Sequence, residues 1–590
     1  MFPVSPGTTV HPLKAQVYTA AWPISTPRFT APHDAPRVRQ AAPARFLFLV
    51  GIATVALVTA TATTAVAAAS RPLPTAGETP LLGGDYATSR FAAPFSFSVR
   101  ERDDWRVEHV AREQMTLMRG SACCGQNAGA RTDLLTVMRP RRVIAPRTGK
   151  ATSLPRNVTR WIRNNPHLRT GRSSHLPVGS RRARVFSIGF RSETPRNEGC
   201  AGFLVLSFGR FGLCPGERAR LAVLDVGARP LLIQWSSATP KAVARLERPV
   251  RRLLATVRFG KRRVAARPRV LVIGNSDPTN DDELFFAREA ARLSGGTLQV
   301  SLRSELYGEK PDGERRVARD LQAGRLPLAW DATRVWDTEG VTSFQGLQAP
   351  FLVDSVGLMD RVIRSPLVAQ VASGLGAKGV TGLGLAAINL RRPLGARKAF
   401  TSVAAFQGAK VNVVTSRISQ DVLRALGAAP VDVGGGDVLG NALRSGKVDA
   451  AETAIDVVFR NGYARVARYM STNVVLFPKF ASIDANAAML TALPAAERDA
   501  LAKAAAATGP RSTERLRTHE AVDAAALCKQ AIRFAAATQA ELDALLAAEQ
   551  PVYDALATDP VNASVIADIR ALKQQGNLGS GLTIPAGCRT

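Results

Sequence analysis

The sequence predicts an α/β protein whose C-terminal half is built on a parallel sheet opening into a crevice. Residues Phe406 to Thr453 carry this prediction, because apolar runs and amphipathic segments alternate there with very short connections. Lys410–Val414 is a mostly apolar, β-branched run, Ser416 or Ser419 can cap a helix that stops at Gly427, and Ala429–Val433 is a second run. Asp437 then caps a helix over Val438–Arg444 that stops at Gly446, and Val448–Ala451 is a third strand delivering Glu452. The caps and terminal glycines fall where the orphan N–H and C=O groups of helix ends need them. Strands and helices joined this tightly give a parallel sheet, and crevices beyond its strand ends bind small molecules.

Taken from the N-terminus, the chain divides as follows. Its 590 residues exceed one core, so two or three domains are expected. Residues 1–45 are Pro-rich, polar and aperiodic, and read as a disordered tail or as the product of a start codon placed too early. Phe46–Ala69 is a nearly continuous apolar stretch preceded by Arg37, Arg39 and Arg45 and followed by small residues. It reads either as a cleaved export signal or as a retained membrane anchor; both place the rest of the chain outside the cytoplasm. The six cysteines of an exported chain favour disulfides. Cys200 and Cys214 flank a strand and its turn, and Cys528 with Cys588 would tie the C-terminus to a long helix; Cys123 and Cys124, being adjacent, resist assignment.

After a linker over 70–90, a small α+β domain spans 91–260. Strands are expected at Ala92–Val99, Ala183–Phe190, Phe203–Phe208, Leu221–Val226 and Pro230–Trp235, with helices at Leu154–Asn165 and Ala242–Val257. The second helix sets Val243, Leu246, Val250, Leu253 and Leu254 on one face, and Pro249 is expected to kink or restart it. A sheet of four or five antiparallel strands under two helices follows. The domain displays no catalytic constellation and reads as a recruitment, lid or spacer module. The net charge of +31, with much of the Arg excess between Arg90 and Arg269, suits an anionic envelope polymer or lipid, or simply solvated faces. Export argues against nucleic acid. KRRVAARP (261–268) is a basic linker, and Pro494–Lys573 reads as almost continuous helix broken by Pro551 and Pro560.

A family resemblance rests on the following residues. F-x-G-x-K-V, A-L-G-A-x-P-V and L-x-S-G-x-V-D-A-x-E (406–452) resemble the second lobe of the TRAP-type, C4-dicarboxylate-binding solute receptors. Val270–Gly346, with the helix Asp281–Leu293, S-G-G-T-L-Q-V and the pair around Leu321–Trp330, is similar to the first lobe, and FQGLQAPFLVDS (344–355) fits as well. The resemblance covers roughly 267–590. It implies a two-lobed, periplasmic-binding-protein-like receptor (type II) with long C-terminal helices in 268–590, preceded by the small α+β domain. It further implies capture of a small organic solute, an organic acid first of all, and delivery to membrane permease subunits, with no cofactor and no catalytic residue.

The family's carboxylate-gripping Arg falls two residues after the Gly-x-Lys of this strand, where the chain has Asn412; its habitual Asn after D-x-x-E is Thr453, next to Glu452. An amide cannot neutralise a carboxylate, and an unpaired buried anion costs several kcal/mol. Arg391 or Arg392 in NLRRPLG matches a second cationic position, and Arg417 is a substitute from the adjacent loop; all three could equally be solvated. Trp330 and Trp336 follow the strand LPLAW and are candidates for a stacking wall or for lobe packing. If Arg391 or Arg392 faces ligand, its removal should abolish ligand-induced stabilisation and spare the unliganded fold.

Other chemistries are disfavoured. G-x-G-x-x-G at 374–379 follows a helix and precedes a strand, the reverse of a nucleotide loop, and reads as a helix end and turn. The six His lack metal-ligand spacing and no G-x-S-x-G occurs, so neither a metal site nor a hydrolase is expected. The alternative function is a membrane-anchored, non-transport sensor or envelope-binding module with a degenerate anion site.

Overall fold

The computed structural model describes residues 69–589, except 76, 121–132, 196–199, 207–208, 228, 238, 309, 415, 577 and 579–581. The apolar stretch 46–69, but for its last residue, and Cys123 and Cys124 therefore lie outside the described residues. Among the described residues, no helix is long and apolar enough to cross a membrane.

The N-terminal domain is richer in strand than its sequence predicts. An eight-stranded sheet runs in the order Leu168–Val178, Arg181–Phe190, Arg218–Val226, Arg229–Ser236, Asp133–Met138, Gln114–Arg119, Arg106–Val110, Thr79–Pro80. Two four-stranded sheets flank it, and strands at Arg71–Pro72, Thr79–Pro80 and Gly84–Ala87 fold what reads as a linker over 70–90 into the domain. The helix Pro240–Ala255, capped by Thr239, lays Val243, Leu246, Val250, Leu253 and Leu254 on one sheet face against Trp105 and Trp235. Pro249 sits inside this helix, which runs on as one element. The other face buries Phe186, Ile188 and Leu221 beneath the short helix Val158–Arg163, which Asn157 caps.

The C-terminal domain is two-lobed. Its ten-stranded sheet orders Leu298–Arg303, Arg269–Gly274, Leu328–Ala332, Phe477–Asn486, Val380–Gly395, Ala450–Thr453, Lys410–Asn412 and Ala429–Val431 along one path, with Tyr469–Ser471 and Arg533–Ala535 paired off it. The first lobe holds the parallel strands from Arg269, Leu298 and Leu328, the second those from Lys410, Ala429 and Ala450. The strand Val380–Gly395 joins them: it pairs with Phe477–Asn486 as far as Arg391↔Phe477, then with Ala450–Thr453 from Arg392↔Thr453. The lobe junction thus falls between two adjacent arginines.

Local signals explain the second lobe. The Ser416 hydroxyl accepts from Ser419 N at 3.3 Å and caps the helix Arg417–Ala425, and Gly446 closes the helix Gly436–Ser445 in the left-handed region at φ +73°. Asp437 is not the cap expected of it: Gly435 is, and the Asp437 carboxylate lies in the first turn, where it suits the helix dipole. Residues 373–378 form a 3₁₀ turn ended by Gly379 at φ +67°. The C-terminal region is less continuous than its composition suggests. The helix Ala495–Lys529 passes through Pro510 and is followed by a strand, Arg533–Ala535, then by helices Gln539–Ala548, Gln550–Ala557 and Pro560–Gln574. Pro551 and Pro560 sit in the first turns of their helices, where a missing N–H is harmless. Disulfides join Cys200 to Cys214 and Cys528 to Cys588.

The two domains meet edge to edge. Glu78 exchanges both backbone hydrogen bonds with Leu302 on the outer strand of the first lobe, at 3.3 and 2.8 Å. Gly77, at φ +47°, permits this approach, since a Cβ there would stand 2.6 Å from the Leu302 carbonyl oxygen. An ion pair between Arg288 and Asp104 adds to the contact.

Candidate functional site

Charged side chains from both lobes gather where the strand Val380–Gly395 changes partner. From the first lobe, Lys479 Nζ lies 2.6 Å from Asp277 Oδ2 and 3.6 Å from Glu314 Oε1. The Arg334 guanidinium donates to both oxygens of Glu314, at 3.1 and 2.8 Å, as a buried fork. From the second lobe, Arg391 grips Glu452 in the same manner: Nε donates to Oε1, and Nη2 donates to Oε2 at 3.1 Å and to the Glu452 carbonyl at 2.9 Å. Arg460 holds Asp456 at 2.8 Å, and Asp456 accepts from Asn389 Nδ2 at 3.2 Å. The lobes sense each other electrostatically, Arg334 through Glu452 and Asp277 through Arg460.

These contacts set the protonation states. Desolvation works against the charge of Asp277, but Lys479, with Arg334 and Arg460, holds its carboxyl down at about 2; the side chain stays 52% exposed, so solvent screens the pair. Burial also opposes the Glu314 charge, and Arg334 and Lys479 overcome it, holding that group below the usual carboxylate range. Behind this row, burial raises Asp331 well above its ordinary value and lifts Asp484 to about 7. Two buried oxygens at the junction have no hydrogen-bond partner among the described residues, Asn389 Oδ1 and Thr453 Oγ1. A ligand donor would satisfy the first, and either a donor or an acceptor the second.

The residues singled out from sequence scatter around this junction. Arg391, Glu452 and Thr453 are there, all buried. Arg392 points the other way, onto the long helix, bonded to Glu520 and to the Thr472 carbonyl at 3.2 Å; it is a strut between strand and helix. Asn412 spends its amide on the adjacent loop, accepting from Val433 N at 2.9 Å and donating to the Gly434 carbonyl at 3.4 Å. Arg417 is exposed on the first turn of its helix, near buried Asp337. Trp330 and Trp336 occupy packing positions: Trp330 lies within a core with Phe286 and Ile483, and Trp336 is fully buried with Nε1 3.2 Å from Ser482 Oγ. The unliganded fold is therefore not indifferent to Arg391 or Arg392, because both carry buried ion pairs.

Sequence reasoning missed Asp277, Glu314, Arg334 and Lys479. Asp277 was legible in part, since it follows the first strand of a parallel sheet, where crevices form. A separate cavity of about 380 Å³, lined by Arg397, Lys398, Gly408 and Asp449, lies at the other end of the second-lobe strands, away from the junction.

Two lobes built on parallel strands, crossed by two long strands and meeting at a row of ion pairs of which Arg334–Glu314 and Arg391–Glu452 are buried, have the architecture of a hinged solute receptor. Residues 271–559 match the family of bacterial extracellular solute-binding proteins, family 7 (DctP), and this part of the chain is a TRAP-type solute-binding domain. The C4-dicarboxylate-binding periplasmic protein DctP of Rhodobacter capsulatus is 25% identical over 242 residues, which cover 40% of this chain and 69% of that protein. Among solved structures, the chain is similar to a TRAP solute-binding protein of Roseobacter denitrificans with bound β-D-glucuronate (22% identity, 51% of this chain and 99% of that one, TM-score 0.47). It is also similar to the sugar acid binding protein DctPAm of Advenella mimigardefordensis with galactonate (20% identity, 52% and 99%, TM-score 0.47).

Proposed function

We propose that the C-terminal domain captures a small organic acid between its lobes and hands it to the membrane subunits of a TRAP-type permease. The observation that carries this reading is the Arg391 fork: a buried guanidinium at the lobe junction, already closed on a carboxylate in two-point geometry. A planar fork of this kind recognises carboxylates better than an ammonium does. Arg334, Arg460 and Lys479 surround the junction with further cations, each matched by an acid of the chain. An incoming carboxylate therefore competes with Glu452 for Arg391. The unpartnered Asn389 Oδ1 and Thr453 Oγ1 favour a hydroxy acid, whose hydroxyls supply the missing bonds. The DctP relative of Rhodobacter capsulatus, named for binding C4-dicarboxylates, supports the same class.

The test is a calorimetric screen of the full chain against hydroxy acids, dicarboxylates, amino acids and neutral sugars, repeated with Arg391→Lys, which keeps the charge and loses the fork. A hydroxy acid or dicarboxylate should bind, at least tenfold more weakly to the variant. Binding of neutral sugars alone would remove the acid class, and equal affinity for an acid in both proteins would remove Arg391 from the site.

A further inference from the structure

The N-terminal domain carries a trough of its own. One face of the eight-stranded sheet packs under the helix Pro240–Ala255, and three neighbouring strands change character where that packing ends. Along Arg181–Phe190 the face runs Ala183, Val185, then Ser187, Gly189; along Arg218–Val226 it runs Leu224, Ala222, then Arg220, Arg218; along Leu168–Val178 it runs Val178, Leu176, then, one row earlier, Ser174, followed across a bulge by Gly171 and Arg169. The apolar members are buried against the helix. The Gly, Ser and Arg members other than Ser174 instead line a trough of about 530 Å³ roofed by Pro240, Val243 and Ala244, a size that suits a small-molecule ligand.

The register makes the trough electropositive and keeps it open. Arg169, Gly189 and Arg218 are Cα partners in one row across three strands, so the Cα atoms of the two arginines stand about 10 Å apart on either side of a residue without a side chain. A Cβ at Gly189 would come within 2.6 Å of Arg218 Nη1, so the Arg218 side chain lies across that glycine toward Arg169, and a Cβ at Gly171 would come within 2.2 Å of Ser187 Oγ. Larger residues would fill the floor. Neither the Arg169 nor the Arg218 side chain makes a hydrogen bond or ion pair with a described residue. The one carboxylate lining the trough, Glu247, is shared between Arg251 at 2.6 Å and Arg220 at 3.7 Å, and Arg220 Nε is buried without a hydrogen-bond partner. The first turn of the 16-residue helix adds the positive end of its dipole.

We propose that this trough binds an anion: the phosphate or carboxylate group of a small amphiphilic molecule, held between Arg169 and Arg218 while its remainder lies against Pro240, Val243 and Ala244. Two fork-shaped donors converging over a glycine floor suit a multiply charged oxyanion. The anionic group could be free or the headgroup of a lipid, and the experiment separates the two. The full chain would be titrated calorimetrically with inorganic phosphate and citrate, and sedimented with phosphatidylglycerol vesicles, at fixed ionic strength. Arg169→Ser/Arg218→Ser would be compared with Arg182→Ser/Arg184→Ser, which removes equal charge from strand positions directed to the opposite face. The trough variant should lose at least tenfold in affinity for whichever probe binds, and the control variant less than twofold. Binding of phosphate or citrate identifies a soluble ligand, and binding of vesicles alone a lipid headgroup. The proposal falls if no probe binds the wild type, or if both variants lose affinity equally.

Discussion

Glu452→Gln is the most informative single change at the lobe junction. It removes one charge, keeps the side-chain shape, and leaves Arg391 6% exposed with only the Glu452 carbonyl, 2.9 Å away, as a definite acceptor. Breaking a buried ion pair by removing one partner costs roughly 3–5 kcal/mol, because the other charge is left uncompensated. The surviving backbone hydrogen bond offsets about 1 kcal/mol of this, so a loss of about 2–4 kcal/mol is expected. Urea unfolding of the unliganded protein, followed through the transition of the C-terminal domain, measures it. The same variant should bind simple carboxylates more tightly than wild type, since the ligand no longer displaces Glu452 and instead restores a lost charge. Arg391→Met/Glu452→Met, which removes both charges, should recover most of the stability and bind no carboxylate. The reasoning fails if Glu452→Gln is as stable as wild type, or if its stability drops while carboxylate affinity drops too.

Two further outcomes follow from buried groups elsewhere. Glu549 is fully buried, both its oxygens lack hydrogen-bond partners among the described residues, and burial lifts its carboxyl from 4.5 to about 9. Between those values the unfolded chain ionises and the folded one does not, so stability falls as pH rises, by about 1.4 kcal/mol per unit. Between pH 5 and 8, wild type should lose on the order of 4 kcal/mol more than Glu549→Gln in parallel urea titrations; equal pH dependence would mean that Glu549 is not held neutral. Cys588→Ser opens a loop of 60 residues, which the chain-entropy relation values at about 4 kcal/mol. Its thermal transition should fall to that of Cys528→Ser, well below oxidised wild type, and an unchanged transition would show that the bond adds nothing.

Legibility tracked how local each determinant is. The Ser416 cap, the Gly446 and Gly379 stops and the parallel strands of the second lobe are short-range features, and all can be read from spacing. Asp437 misled because any acid before an apolar run resembles a cap; here the glycine two residues earlier has the extended backbone the cap position needs. The linker reading of 70–90 failed because strands of two to four residues leave no periodic trace. At the junction, sequence could mark Arg391 and Glu452 but not that they pair, since 61 residues separate them. Arg391 and Arg392 look equivalent in the chain; only the pleat, sending one to the junction and the other to the long helix, tells them apart. The tryptophans stayed ambiguous for the converse reason: following a strand of a crevice-forming sheet does not say which face a ring takes, and of the two readings open for Trp330 and Trp336 the rings occupy packed positions.

The seam at Glu78 and Leu302 is written in main chain rather than in side chains. Substitutions other than proline at Glu78 and Leu302 leave its donors and acceptors in place, so the seam tolerates sequence drift there, whereas Gly77 admits no side chain without a clash. The appended domain therefore travels with one half of the clamshell, and whatever tethers the former fixes the orientation of the latter.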